Sequence, residues 1–216
     1  MHYRLIPNSF HFENLSLFNT SYRGLHMKNN TYENDVRILG GKFKGKLLPV
    51  LDVEGLRPTP SRVRETIFSW IKDSLGNAKV LDLFAGSGAL GLEAYSRGAK
   101  DVTLVELDKD NSSNLKVIAK SMSYDEIHVI NDDALHFLDN VSSTFNIVFI
   151  DPPYKLDIYE KVLEKLLYKN LIDDDSLIYV EMRNGSNKIV PGYEIIREEN
   201  AGQSKYSLWT KSKLLF

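Results

Sequence analysis

Four consecutive residues, Asp151-Pro152-Pro153-Tyr154, directly follow an apolar run at 146–150, and their types suit one difficult reaction. The exocyclic amine of guanine or adenine is a poor nucleophile because its lone pair is delocalised into the ring. The Asp151 carboxylate and the Pro152 carbonyl can each accept one N–H of such an amine, favouring a pyramidal nitrogen whose lone pair is free to react. Two prolines stiffen the loop that carries both acceptors. Tyr154 offers a face on which an extruded base can stack.

A second constellation lies upstream. Gly86-Ser-Gly88-Ala-Leu-Gly91 fits G-x-G-x-x-G, and the acid Glu106 follows at the spacing of a ribose-binding carboxylate, about 20 residues on. Nicotinamide, flavin and S-adenosyl-L-methionine (AdoMet) sites all use such a turn. Asp82, at the end of the preceding strand, separates them: a pyrophosphate would meet an extra negative charge there, whereas the cationic amino-acid end of AdoMet would be attracted. Asp133, in the turn after a third strand, is placed to accept from an adenine amine, and equally to cap the helix that follows.

Both constellations need a frame that brings strand ends together. Residues 80–84 are a short apolar run of the kind buried in a parallel sheet, 89–97 a helix ending at Gly98, and 101–106 a second strand. Residues 110–121 read as a helix, 127–130 as a strand, 135–139 as a helix and 146–150 as the fourth strand. A helix at 156–168, a strand at 176–182 and an antiparallel pair at 193–198 and 206–210 complete the pattern. Ligands in open α/β sheets bind beyond the carboxyl ends where strand order reverses, so Asp82 and Asp151 are expected to share one cleft.

Ahead of this domain, expected over 76–216, residues 36–75 read as a basic appendage. Residues 36–39 and 42–48 are expected to form a hairpin with Lys42, Lys44 and Lys46 on one face. Thr59 and Pro60 then read as the N-cap and first residue of a helix whose apolar face is Val63, Ile67, Trp70 and Ile71. Arg57, Arg62 and Arg64 are expected to join the lysines in a phosphate-binding surface, although lysines also protect sheet edges and arginines pair with acids. The 216 residues carry a net charge of −2, yet 37–79 holds nine Lys/Arg against four Asp/Glu. Local charge is what a nucleic acid meets.

The remaining composition excludes several classes. There are no cysteines, hence no disulfides or thiolate metal sites, and the five histidines lack metal-ligand spacing. No metal is expected. No apolar run reaches the roughly 18 residues of a membrane span, so a cytoplasmic protein without a membrane partner is expected. Residues 1–35 are Asn-rich and unpatterned. They read as a flexible arm, as a stretch upstream of a true start at Met27, or as a transit peptide.

In order along the chain, ValArgIleLeuGlyGly (36–41), GlyLeuArgProThr (55–59), ArgValArgGlu (62–65), LeuAspLeuPheAlaGlySerGlyAlaLeuGlyLeuGluAla (81–94), AspProProTyr (151–154) and AlaGlyGln (201–203) resemble the RsmD family of bacterial small-subunit rRNA guanine-N2 methyltransferases. The likeness spans about residues 36–210. It implies a Rossmann-like class I AdoMet-dependent fold, a seven-stranded sheet with an antiparallel last strand, and action on one guanine N2 of 16S rRNA in the small ribosomal subunit. Asp82, Phe84, Gly86 and Gly88 would then hold the methionine part of AdoMet, Glu106 its ribose, and Asp133 with Ala134 its adenine. Asp151, Pro152, Pro153 and Tyr154 would be catalytic in a monomeric enzyme. Pro60-Ser61 departs from the polar or acidic residue common there. The rival readings are a DNA adenine-N6 methyltransferase, an NAD-dependent oxidoreductase, and a non-catalytic rRNA-binding assembly factor.

Overall fold

Seven strands form one sheet, and its central parallel runs at 80–82, 102–105 and 147–150 are buried on both faces, as such strands require. The computed structural model describes residues 36–51, 59–123, 125–153, 155–186 and 189–213. A short antiparallel pair, β1 (Val36–Arg37) and β2 (Leu47–Leu48), and helix α1 (Ser61–Trp70) precede the sheet. Then come β3 (Lys79–Asp82), α2 (Ala89–Ser96), β4 (Asp101–Glu106), α3 (Lys109–Lys120), β5 (Ile127–Asn131), α4 (Ala134–Asn140), β6 (Phe145–Ile150), α5 (Tyr159–Tyr168), β7 (Ile172–Arg183), β8 (Tyr193–Ala201) and β9 (Ser204–Lys211).

The strand order is β5-β4-β3-β6-β7-β9-β8. β3 to β7 are mutually parallel, and β9 runs antiparallel between β7 and β8. The order reverses at β3, with β4 on one side and β6 on the other, as the spacing of the motifs predicts. Asp82 pairs in register with Phe149, two residues before Asp151. One core joins α1, α2 and α3 to the face carrying Val80, Phe149 and Tyr179; a second joins α4 and α5 to the face carrying Leu81, Val148 and Val180.

The region before the sheet differs from its sequence reading in three respects. Val36, Ile38, Leu48, Val63, Ile67 and Phe68 lie in the same core as Val80 and Leu92, so the described part of 36–75 is built into the domain. The expected hairpin is only two residues per strand. Lys42 and Lys44 are exposed in the turn between them and Lys46 is half-buried, so the lysines do not form one face of a strand. The turn is held instead by Ser96, whose carbonyl accepts from Lys42 N at 2.7 Å and whose hydroxyl accepts from Phe43 N at 2.9 Å.

Arg64 is the clearest correction. It is only 2% exposed and cannot belong to the basic surface expected for it. Its guanidinium donates to the carbonyls of Thr59 (3.2 Å) and Arg37 (3.0 Å) and pairs with Glu93 at 3.5 Å. Glu93, fully buried on α2, also accepts from Leu39 N, Gly40 N and Arg97 Nε at 2.6 to 2.8 Å. A buried charge survives only when paired and fully hydrogen-bonded, and this pair fastens α1 and the basic turn to α2. Arg62, between Ser61 and Val63 in the first turn of α1, remains exposed; Arg57 lies outside the described residues.

Candidate functional site

Acids end the parallel strands along the carboxyl edge of the sheet. Asp82 closes β3, Glu106 closes β4, Asp133 follows β5, Asp151 follows β6, and Glu181 lies near the end of β7. All five line one cavity of about 520 Å³ together with Phe84, Gly86, Ala134, Pro152 and Pro153. That volume suits a small-molecule ligand. The shared cleft expected for Asp82 and Asp151 is therefore present. Gly88 does not line it: it starts α2 with φ 74, where an added Cβ would lie 2.8 Å from Leu92 and Leu115 side chains, so its part is to make the turn. Tyr154 lies outside the described residues.

Each acid is fixed by the turn it follows. Asp82 Oδ2 accepts from Gly91 N at 2.9 Å, tying the strand end to the first turn of α2. Gly91 permits this approach because a Cβ there would meet Leu104 at 2.2 Å and Asp82 at 3.2 Å. Glu106 accepts from Gly86 N at 2.9 Å and Asp108 N at 2.8 Å, which shapes the glycine turn around its carboxylate. Asp133 caps α4 by accepting from Leu135 N and His136 N, so its capping role is realised and its position on the cavity is not lost.

Crowding acids in an apolar cleft makes ionisation costly. Burial pushes the Asp82 carboxyl up to about 7, against the lowering effect of the Gly91 N–H, and the charge of Glu106 adds to the rise. Asp151 is held well above the usual carboxylate range, first by burial and then by the charges of Glu181 and Asp82. Burial raises Glu106 as well. Such a site favours a positively charged occupant. Among the described residues no group of three or more His, Asp or Glu side chains is arranged to hold a metal ion.

Two cavity residues escaped the sequence reading. Thr59, expected to cap α1, instead donates from Oγ1 to Asp151 Oδ2 at 3.2 Å, and Pro60 takes the cap position without a side-chain bond. Glu181 was simply one more residue of the fifth parallel strand; the acid near its end matches those of the four strands before it. A hydrogen bond to a carboxylate contributes about 1.5 kcal/mol or more. Thr59→Val should therefore slow any reaction that uses Asp151 by about tenfold and move its acid limb to higher pH, measured as a pH–rate profile, with cofactor affinity unchanged.

The comparisons with known proteins agree with this geometry. The family model described as Conserved hypothetical protein 95 matches residues 36–210. A relative in Escherichia coli K12, ribosomal RNA small subunit methyltransferase D, is 40% identical over 185 residues, 85% of this chain and 93% of its own. The chain belongs to the RsmD family. The Haemophilus influenzae member is 39% identical over 82% of this chain and 94% of its own. A solved structure described as putative methyltransferase yhhF from Escherichia coli superposes with TM-score 0.76 at 38% identity, over 82% of this chain and 98% of that one. The sheet extends beyond RsmD: an RNA methyltransferase from Salinibacter ruber in complex with S-adenosyl-L-homocysteine has TM-score 0.57 at 15% identity over 74% of this chain and 96% of its own, a likeness of fold.

Proposed function

We propose that this protein transfers a methyl group from AdoMet to the exocyclic N2 of one guanine in 16S rRNA, on assembled or assembling small subunits. The observation that carries the reading is the shared cleft, with Asp82, Glu106 and Asp133 on the β3, β4 and β5 side and Asp151 on the β6 side. When bound, AdoMet supplies an electrophilic methyl on a sulfonium whose charge is lost on transfer. The donor set fits that molecule. Glu106 suits a ribose diol, Asp133 with Ala134 an adenine edge, and Asp82, Phe84 and Gly86 a cationic amino-acid tail, while Gly88 supports the turn that presents them.

Asp151 and the Pro152 carbonyl accept the two N–H groups of the guanine amine and so release its lone pair. Asp151, already disposed to hold a proton, can take the one the amine gives up. Thr59 orients the acceptor. Pro153 stiffens the loop, and Tyr154 is the stacking face for a base drawn out of its helix. The exposed Lys42, Lys44 and Arg62, with Lys46 and Arg57, would contact rRNA phosphates. Relatives named as small-subunit rRNA methyltransferases support this substrate, and with it a cytoplasmic location. Action as a monomer is part of this reading. No helix among the described residues is long and apolar enough to cross a membrane.

The test is transfer of labelled methyl from AdoMet to small subunits that lack this modification, followed by nucleoside digestion. Label in N2-methylguanosine is expected. Label on adenine N6, or none on wild-type challenge, would overturn the reading in favour of an adenine methyltransferase or an assembly factor.

A further inference from the structure

We propose that Glu181 is the residue by which the site tells guanine from adenine, accepting the ring N1–H of a guanine whose 2-amino group is held by Asp151. The inference rests on the methyl-transfer reading above and adds a specificity determinant to it. Geometry carries it. β6 and β7 are parallel neighbours with Ile150 opposite Val180, so Asp151 and Glu181 each stand one position further along adjacent strands. Both line the cavity on the side away from Glu106 and Asp133, with Thr59, Gln203 and Ser204. The charge of Glu181 is also among the causes that raise Asp151.

Glu181 is held in place from below. Tyr179, two residues back on the same face of β7 and fully buried, donates to Glu181 Oε2 at 2.8 Å. Glu181 itself is 7% exposed. The tyrosine bond orients the carboxylate, which has about four lone-pair positions, on the wall of the cavity.

The chemistry then distinguishes the bases. Guanine presents two kinds of donor side by side, the 2-amino group and N1–H; adenine presents its 6-amino group beside the N1 lone pair. Two neighbouring carboxylates complement a donor–donor edge and repel a donor–acceptor one. Sites built to bond a particular hydrogen reject analogues that lack it, because a buried acceptor is left facing a lone pair.

The experiment uses the full-length protein and small subunits reconstituted with 16S rRNA in which the guanine methylated by the wild type is replaced by 2-aminopurine, which keeps the 2-amino group and has a bare N1. The wild type is expected to prefer guanine by at least about a hundredfold in kcat/KM. Glu181→Gln, whose amide can donate to a bare N1, should narrow that preference by about tenfold or more. Glu181→Asp, keeping the carboxylate, should lower the rate and retain the preference. AdoMet affinity reports whether each variant is folded. An equal fall on both bases in Glu181→Gln would overturn the proposal and leave the methyltransferase reading intact. So would a wild-type enzyme that uses 2-aminopurine as readily as guanine, a result that needs no variant. A wild type that places no methyl on guanine would instead defeat the underlying function.

Discussion

Asp151→Ala should lower single-turnover methyl transfer by at least about a thousandfold, roughly 4 kcal/mol of barrier, while AdoMet affinity stays within a few-fold of wild type. The two readouts separate because the residues proposed to hold AdoMet sit on β3, β4 and β5 and their turns, and Asp151 follows β6. Alanine removes the acceptor that aligns the amine and the group that receives its proton, but it leaves the Pro152 carbonyl in the same loop. Asp151→Asn retains one acceptor oxygen and no charge, so its loss should be smaller, on the order of tenfold to a hundredfold. The wild-type rate should climb with pH towards a plateau, because Asp151 accepts best when ionised and its carboxyl is held well above the usual range. Transfer by Asp151→Ala within tenfold of the wild type would remove Asp151 from the chemistry.

The frame of the site is legible in the sequence because it depends on local patterns. Apolar runs of four to six residues, glycines at fixed offsets and acids at the ends of four strands give the succession of strands, the reversal between the first and fourth of them and the convergence of Asp82 with Asp151. The errors arise where tertiary partners override local rules. Thr59 before Pro60 reads as a cap by composition, yet its hydroxyl bonds to Asp151, 92 positions away. Arg64 reads as a surface cation because it lies among charged residues, but Glu93 on α2 draws it inside. Helical period alone could have raised the doubt, since Arg64 is adjacent to Val63 and four residues before Phe68. Glu181 shows the opposite limit: an acid at a strand end acquires meaning only once the neighbouring strand ends are known to converge.

Collecting acids in one cleft has a thermodynamic consequence that can be measured without any RNA. Asp82 rises from an unfolded value near 3.9 to about 7 in the fold, so the folded state holds its proton more tightly than the unfolded chain does. The contribution to stability is fully present below about pH 4 and is lost as pH rises through 7. Between pH 5 and pH 8 this one group should cost about 2–3 kcal/mol. Asp151 and Glu106, both raised, act in the same direction. Ligand-free protein should therefore become less stable across that range by denaturant melts, and Asp82→Asn should lose about 2–3 kcal/mol less, because an amide oxygen can still accept from Gly91 N and carries no charge to bury. AdoMet should bind the wild type more tightly as pH rises, since Asp82 then ionises beside the ammonium of its amino-acid tail; S-adenosyl-L-homocysteine, which keeps that ammonium, should gain nearly as much. The variant should lose most of that gain, so stabilising the empty protein would weaken its hold on the cofactor, the exchange expected where a binding site is built from groups that disfavour the unliganded fold. Equal pH dependence of stability in the wild type and Asp82→Asn would show that Asp82 ionises as an ordinary carboxylate, and the electrostatic account of the cleft would fall with it.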